Sequence, residues 1–169
     1  MIKKRLIPIF LLSFVFLYIS PSSAEVLGIY FPPGKRAHRP IINLYKNAQK
    51  SIHLAIYTLT KNDIARALIN AHKRGVEVKV IMDDEKALDI HSDDEKLEEA
   101  GIEVVKDGPL SLMHNKFAII DGIIVYTGSY NHTRSGTEYN DENYIVMKDK
   151  MVAEIYERQF QKLWEKYKR

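Results

Sequence analysis

The 169-residue chain carries 25 basic and 22 acidic side chains, a formal charge of +3, and no cysteine. Its length fits one domain, and the missing cysteine excludes thiol catalysis, thiolate metal centres, disulfides and lipid attachment through sulfur. Three of the 25 basic residues and none of the 22 acidic ones lie in residues 1–24, which leaves 22 of each in residues 25–169 and excludes a globally basic surface there; attraction for a polyanion must come from a local patch.

Residues 1–24 read as an export signal. Lys3, Lys4 and Arg5 precede an apolar run from Leu6 to Ile19, and Ser22, Ser23 and Ala24 supply small residues before a cleavage point at Glu25. The run is shorter than the about 20 residues of a spanning helix. The expected location is periplasmic or secreted, with a membrane anchor through residues 6–19 as the alternative.

Val26 to Tyr30 predicts a short strand. Phe31 to Arg39 is a loop with Pro32-Pro33-Gly34 and a basic cluster of Lys35, Arg36, His38 and Arg39. Pro40 suits the first turn of a helix, whose apolar stripe is Ile41, Ile42, Leu44, Tyr45 and Ala48. Ser51 to Thr58 is a buried-strand pattern. Asn62 or Asp63 caps a helix carrying Ile64, Ala65, Leu68, Ile69 and Ala71, which ends at Gly75. Val76 to Met82 alternates as a strand. Asp83 to Asp94 is a polar connection with two acidic runs, Asp83-Asp84-Glu85 and Asp93-Asp94-Glu95. They lack calcium-loop spacing and read as solvated charges, so no metal and no cofactor is expected. A helix to Ala100 and a strand from Ile102 to Val105 follow.

His114 to Ile120 and Ile123 to Thr127 are predicted strands joined by Asp121-Gly122, a strong hairpin signal. Gly128 to Glu142 is loop-rich, Asn143 to Met147 a strand, and Lys150 to Lys168 a closing helix. Strand–helix alternation in the first half predicts parallel pairing, and the hairpin adds antiparallel pairing. The expectation is an α/β fold with a mixed, largely parallel sheet. There is no internal repeat.

His114 and Lys116 stand two apart on a predicted strand, so both leave one face while Phe117 and Ile119 leave the other. A neutral imidazole serves as nucleophile or base, and a lysine ammonium suits a phosphate oxygen. A solvent-exposed edge strand accounts for the pair as well. Asp121 is explained by the turn alone, and a catalytic role can coexist with that. Gly128 lets backbone approach a ligand, and Ser129 and Asn131 bring a hydroxyl and an amide to the same rim. Glu142 precedes the Asn143 strand. If that strand neighbours the His114 strand, Glu142 can accept from the imidazole Nδ1 and leave Nε2 reactive; Asp141 and Glu138 are rivals for this role.

H-N-K-F-A-I-I-D resembles the H-x-K-x-x-x-x-D signature of the phospholipase D superfamily. The downstream G-S-Y-N and D-E-N resemble the G-S-x-N and E-N that follow it in that superfamily's small bacterial endonucleases. The likeness runs across residues 25–169, through S-I-H-L-A-I-Y-T-L-T, H-K-R-G-V-E-V-K-V-I-M-D and the aromatic C-terminal helix.

The resemblance implies an α/β/α sandwich with one signature per chain. It also implies a homodimer whose two-fold axis joins two copies of His114 in one site. One histidine attacks phosphorus to form a phosphohistidine; the other protonates the leaving oxygen and then activates water. Lys116, Ser129 and Asn131 hold phosphate oxygens, Glu142 orients His114, and Asp121 supports the hairpin and charge network. His132 stands where the related endonucleases typically have an aromatic residue, and with Lys35 and Arg36 it is a candidate substrate contact. His38, His53, His72 and His91 are expected to be structural or exposed. The implied activity is a metal-independent phosphodiesterase, a nonspecific endonuclease on DNA or RNA. The alternatives are a phospholipid head-group hydrolase and a non-catalytic nucleic-acid-binding dimer.

Overall fold

The computed structural model describes residues 24–34 and 36–168; the expected leader lies outside them, apart from Ala24. Strand β1 (Glu25–Tyr30) leads into α1 (Arg39–Asn47), β2 (Ser51–Ile56), α2 (Asn62–Lys73) and β3 (Glu77–Met82). Two short helices, α3 (Asp84–Ala87) and α4 (Asp94–Glu99), precede β4 (Glu103–Lys106) and β5 (Lys116–Ile120). Then follow β6 (Ile124–Gly128), α5 (Arg134–Glu138), β7 (Tyr144–Lys148) and α6 (Lys150–Tyr167). No helix among the described residues is long and apolar enough to cross a membrane.

The seven strands form one sheet in the order β1-β7-β6-β5-β2-β3-β4. It is mixed, as expected, but not largely parallel. Only β2–β3 and β3–β4 pair parallel; β1–β7, β7–β6, β6–β5 and β5–β2 are antiparallel. Connection length accounts for the two parallel pairs and for the β5–β6 hairpin. A parallel pair needs a crossover of roughly a dozen residues, which α2 and the α3–α4 segment supply, whereas the Asp121-Gly122 turn permits only an antiparallel partner.

Alternation along the strands builds two cores. Leu54, Val80, Ala118 and Ile120 face α1 and α2, together with Ile41, Tyr45, Ile64 and Leu68. Ala55, Ile81, Phe117 and Ile119 face α6, against Phe160, Leu163 and Trp164. The result is the expected α/β/α sandwich. Helix starts follow local chemistry: Pro40 sits in the first turn of α1, and Asp149 accepts from the Val152 N–H at 2.8 Å to cap α6.

Two regions depart from expectation. Asp83 to Asp94 holds α3 and the start of α4 rather than an irregular connection, and α5 lies within the loop-rich stretch. The acidic runs are not fully solvated. Asp83, Asp93 and Asp94 are each at most 1% exposed. Burial is tolerated because each has a partner: Asp83 accepts from the Lys86 N–H, Asp93 pairs with Lys96, and Asp94 with Lys106 at 2.6 Å.

Candidate active site

His114 lies just before β5, and Lys116 opens that strand. The imidazole is exposed and packs against Tyr57, with ring centroids 4.6 Å apart. Lys116 is only 7% exposed; its Nζ donates to the His114 carbonyl at 2.7 Å and sits 4.9 Å from the Tyr57 ring centroid. Burial lowers the Lys116 pKa, against the raising pull of the Glu142 and Asp83 carboxylates. The ammonium is thus partly stripped of water and held at the end of a central strand, where a phosphate oxygen can replace the lost solvation.

The neighbouring strands bring the other polar groups to the same end. Ile56 at the end of β2 pairs with Lys116, and Phe117 pairs with Thr127, next to Gly128 at the end of β6. Gly128 pairs with Tyr144 at the start of β7. A Cβ on Gly128 would press on the Asn143 carbonyl oxygen and the Tyr144 Cα, so this close strand approach requires glycine. Ser129 follows: its N–H donates to the Asn143 carbonyl at 2.9 Å, its Oγ accepts from the Asn143 N–H at 3.0 Å, and its hydroxyl donates to Glu142 Oε2. Asn131 sits in the following loop with its Oδ1 buried and unpartnered. That loop runs beside the continuation of β2, where Thr60 and Lys61 N–H groups donate to the His132 carbonyl.

Glu142 makes no hydrogen bond to His114 among the described residues. Its strand, β7, is separated from β5 by β6, so the strand adjacency on which the expected imidazole contact rests is absent, although its carboxylate is near enough to raise the Lys116 pKa. Within the chain Glu142 holds Ser129 and accepts from the Asn140 amide at 3.3 Å.

Asp121 stands at the opposite end of β5, about 17 Å from Lys116 at roughly 3.3 Å per residue. Its φ of +55° and that of Gly122, +66°, make the expected tight turn. Oδ1 accepts from the N–H groups of Gln49, Lys50 and Ser51 at 3.0, 2.7 and 3.1 Å, and so fastens the α1–β2 connection. Its placement is structural, and the catalytic expectation finds no geometric support.

His132 is not a surface residue. It is 0% exposed, packed among Tyr45, Tyr126 and Tyr130, and burial lowers its pKa to about 3. The aromatic nest accepts a neutral imidazole as one more flat ring, so no substrate contact is available to it. Arg36 is exposed on the loop before α1, while Lys35 lies outside the described residues. His38 pairs with Asp63 at 2.7 Å, and His53 is stacked on Phe160 with its Nδ1 2.8 Å from Glu157, both structural as expected.

An open groove of about 510 Å³ runs from His114 and Lys116 past Gly128 to Ile155, Tyr156 and Gln159 of α6. A second groove, about 360 Å³, lies at the Asp121 end and has no basic side chain on its walls, so it does not suit phosphate. Asp83, Asp84 and Asp107 each present a carboxylate oxygen within 4.8 Å of the others. Burial raises the Asp107 pKa, with the Asp83 and Asp84 charges adding to it, and a proton there relieves the repulsion as a cation would. Tyr57 was missed from sequence. The only signal was an aromatic residue near the end of the buried-strand pattern from Ser51 to Thr58, which reads equally well as core.

A protein-family model described as "Cardiolipin synthase, PLD-like domain" matches residues 41–164. The chain is similar to a mitochondrial cardiolipin hydrolase of Chlamydomonas reinhardtii, 37% identical over 122 residues, which is 72% of this chain and 55% of that protein. It is also similar to a phospholipase D of Rickettsia prowazekii, 35% identical over 138 residues, 82% of this chain and 67% of that one. The chain spans 55–65% of the length of the cardiolipin hydrolases from Chlamydomonas reinhardtii and Xenopus tropicalis. Among solved structures, Nuc from Salmonella typhimurium, a phospholipase D family member, superposes with a TM-score of 0.80 at 28% identity, covering 86% of this chain and 97% of Nuc. NucT from Helicobacter pylori gives 0.77 at 26% identity, covering 86% and 98%.

Proposed function

The chain belongs to the phospholipase D superfamily, and from that premise we propose that it is a homodimeric, metal-independent phosphodiesterase acting on nucleic acid without sequence preference; the pattern of residues 1–24 adds export from the cell to the proposal. The observation that carries the phosphodiester chemistry is the convergence of His114, Lys116, Ser129 and Asn131 on one end of the sheet. Openness and size favour nucleic acid. The groove beside His114 is open to solvent, as a polymer substrate needs, and the similarity to Nuc runs over 97% of that protein.

The half-site supports the dimer. One chain holds one signature, and the His114 ring has no hydrogen-bond partner in its own chain among the described residues. Met151 and Ile155 of α6 are exposed, and Ile155 lines the same groove as His114. A second copy across a two-fold axis covers these apolar side chains and adds a second His114.

In the resulting site, Nε2 of one His114 attacks phosphorus, a P–N bond forms, and the P–O bond to the leaving alkoxide breaks. The other imidazole, protonated, gives its proton to that oxygen. It then takes a proton from water as the water attacks phosphorus, and the P–N bond breaks to release the phosphomonoester. Lys116 and Asn131 from both copies stabilise the charge on the non-bridging oxygens. Glu142 holds Ser129 at the same rim.

A phospholipid head group is the second reading. The cardiolipin hydrolase and phospholipase D relatives favour it, and so do Leu110 and Leu112, exposed just ahead of His114. The test incubates the full chain with plasmid DNA, RNA and cardiolipin vesicles, each with and without EDTA, beside His114→Ala. Expected is nucleic-acid cleavage that survives EDTA and disappears in His114→Ala. Cleavage abolished by EDTA, or lipid turnover alone, overturns the proposal.

A further inference from the structure

The reactive end of the sheet holds a second cation that the chemistry above leaves unused. Lys86, on α3, places its Nζ 5.5 Å from the centroid of the Tyr57 ring. The same ring has Lys116 Nζ at 4.9 Å and the His114 ring at 4.6 Å. One aromatic side chain therefore gathers both ammonium groups and the reactive imidazole. The two nitrogens are separated by at most about 10 Å, the span set by two cation–π contacts on one ring.

Lys86 differs from its basic neighbours. Lys79, Lys96 and Lys106 are each committed to a carboxylate, whereas Lys86 forms no ion pair among the described residues. It is half-buried, and its position is fixed from below: Asp83 caps α3 by accepting the Lys86 N–H at 3.1 Å, and Asp107 accepts the Asp84 N–H at 3.0 Å. A lysine held against an aromatic face, unpaired, beside a phosphate-handling centre is suited to an anion that the solvent does not supply. Single-phosphate chemistry at His114 already uses Lys116. A second cation one ring away is matched to a second phosphate of the same substrate, and a nucleic-acid strand carries one phosphate per about 3.4 Å of axis.

We propose that Tyr57 and Lys86 form a subsite for the phosphate next to the scissile one, with the Tyr57 ring as its wall and Lys86 as its charge. This rests on the phosphodiesterase reading and deepens it: the substrate is a polymer with consecutive phosphodiesters. No covalent step is added; the contact is an ion pair made on binding.

Two substrates separate this from the parent reading. Bis(p-nitrophenyl) phosphate has one phosphodiester, and a single-stranded oligonucleotide has many. In the full chain, Lys86→Ala should raise the KM for the oligonucleotide about tenfold relative to its effect on the small diester, as expected for one charge-assisted contact. The salt dependence of oligonucleotide binding should weaken by about one unit of slope, and Lys86→Arg should restore most of both. An equal change on both substrates would place Lys86 on the reacting phosphate and overturn the subsite, as would no change on either. Impaired hydrolysis of cardiolipin vesicles with oligonucleotide cleavage intact would assign the second phosphate to a lipid and overturn the nucleic-acid strand. A wild-type chain inactive on the small diester would remove the phosphodiesterase reading, and the subsite with it.

Discussion

Asp121 offers the sharpest separation of a structural from a catalytic aspartate. Asp121→Asn keeps the shape and tolerates the positive φ of +55°, so the turn survives. What changes is the acceptor: Oδ1 takes the N–H groups of Gln49, Lys50 and Ser51 and Oδ2 that of Gln49 as well, whereas an amide keeps one uncharged oxygen and sets an NH2 donor where Oδ2 meets the Gln49 N–H. Two of the three N–H groups are exposed and can turn to water, so the loss should be about 2 kcal/mol rather than the sum of three charge-assisted bonds. For a domain of this size that lowers Tm by about 4–8 °C. The chemistry lies about 17 Å away along β5, so kcat at 25 °C should stay within about twofold. The assay pairs a thermal melt with steady-state turnover of bis(p-nitrophenyl) phosphate. A large fall in kcat with an unchanged melt would refute the structural assignment.

Other outcomes follow from the same geometry. His132, with a folded pKa of about 3 against about 6.5 unfolded, refuses a proton that the unfolded chain binds. Its contribution is therefore complete above pH 6.5 and is lost as pH falls toward 3. His132→Phe should flatten the loss of stability between pH 7 and pH 4 by about 3 kcal/mol in urea melts; parallel pH profiles for the two proteins would show that the imidazole is not kept neutral. Gly128→Ala should destabilise the fold by about 1–3 kcal/mol, because the new methyl meets backbone of β7 rather than a movable side chain. It should also lower kcat by displacing Ser129, and an unchanged melt would contradict the close strand approach.

Much of the fold was legible because local signals agreed. The alternation of Phe117 and Ile119 against Ala118 and Ile120 marked the two faces of β5, and Asp121-Gly122 marked the hairpin. The signature residues were legible as a spacing. What the spacing lacked was strand order. Glu142 was expected beside His114, yet β6 lies between their strands, and strand order depends on non-local packing that no window of sequence reports. His132 misled for a related reason: the residue follows a phosphate-binding pattern, but its loop bridges to Leu59 and turns the ring into a tyrosine nest. Asp93 and Asp94 read as solvated because acids usually are, and their lysine partners stand three and twelve residues away.

The most direct test is the phosphoenzyme itself. The full chain is mixed rapidly with excess labelled phosphodiester, quenched in base to protect the P–N bond, and digested for mass spectrometry. The expected result is a burst that places label on His114, near one label for every two chains, because two half-sites make one centre with one nucleophile at a time. Turnover without a burst and without label on His114, or label that persists in His114→Ala, would contradict it.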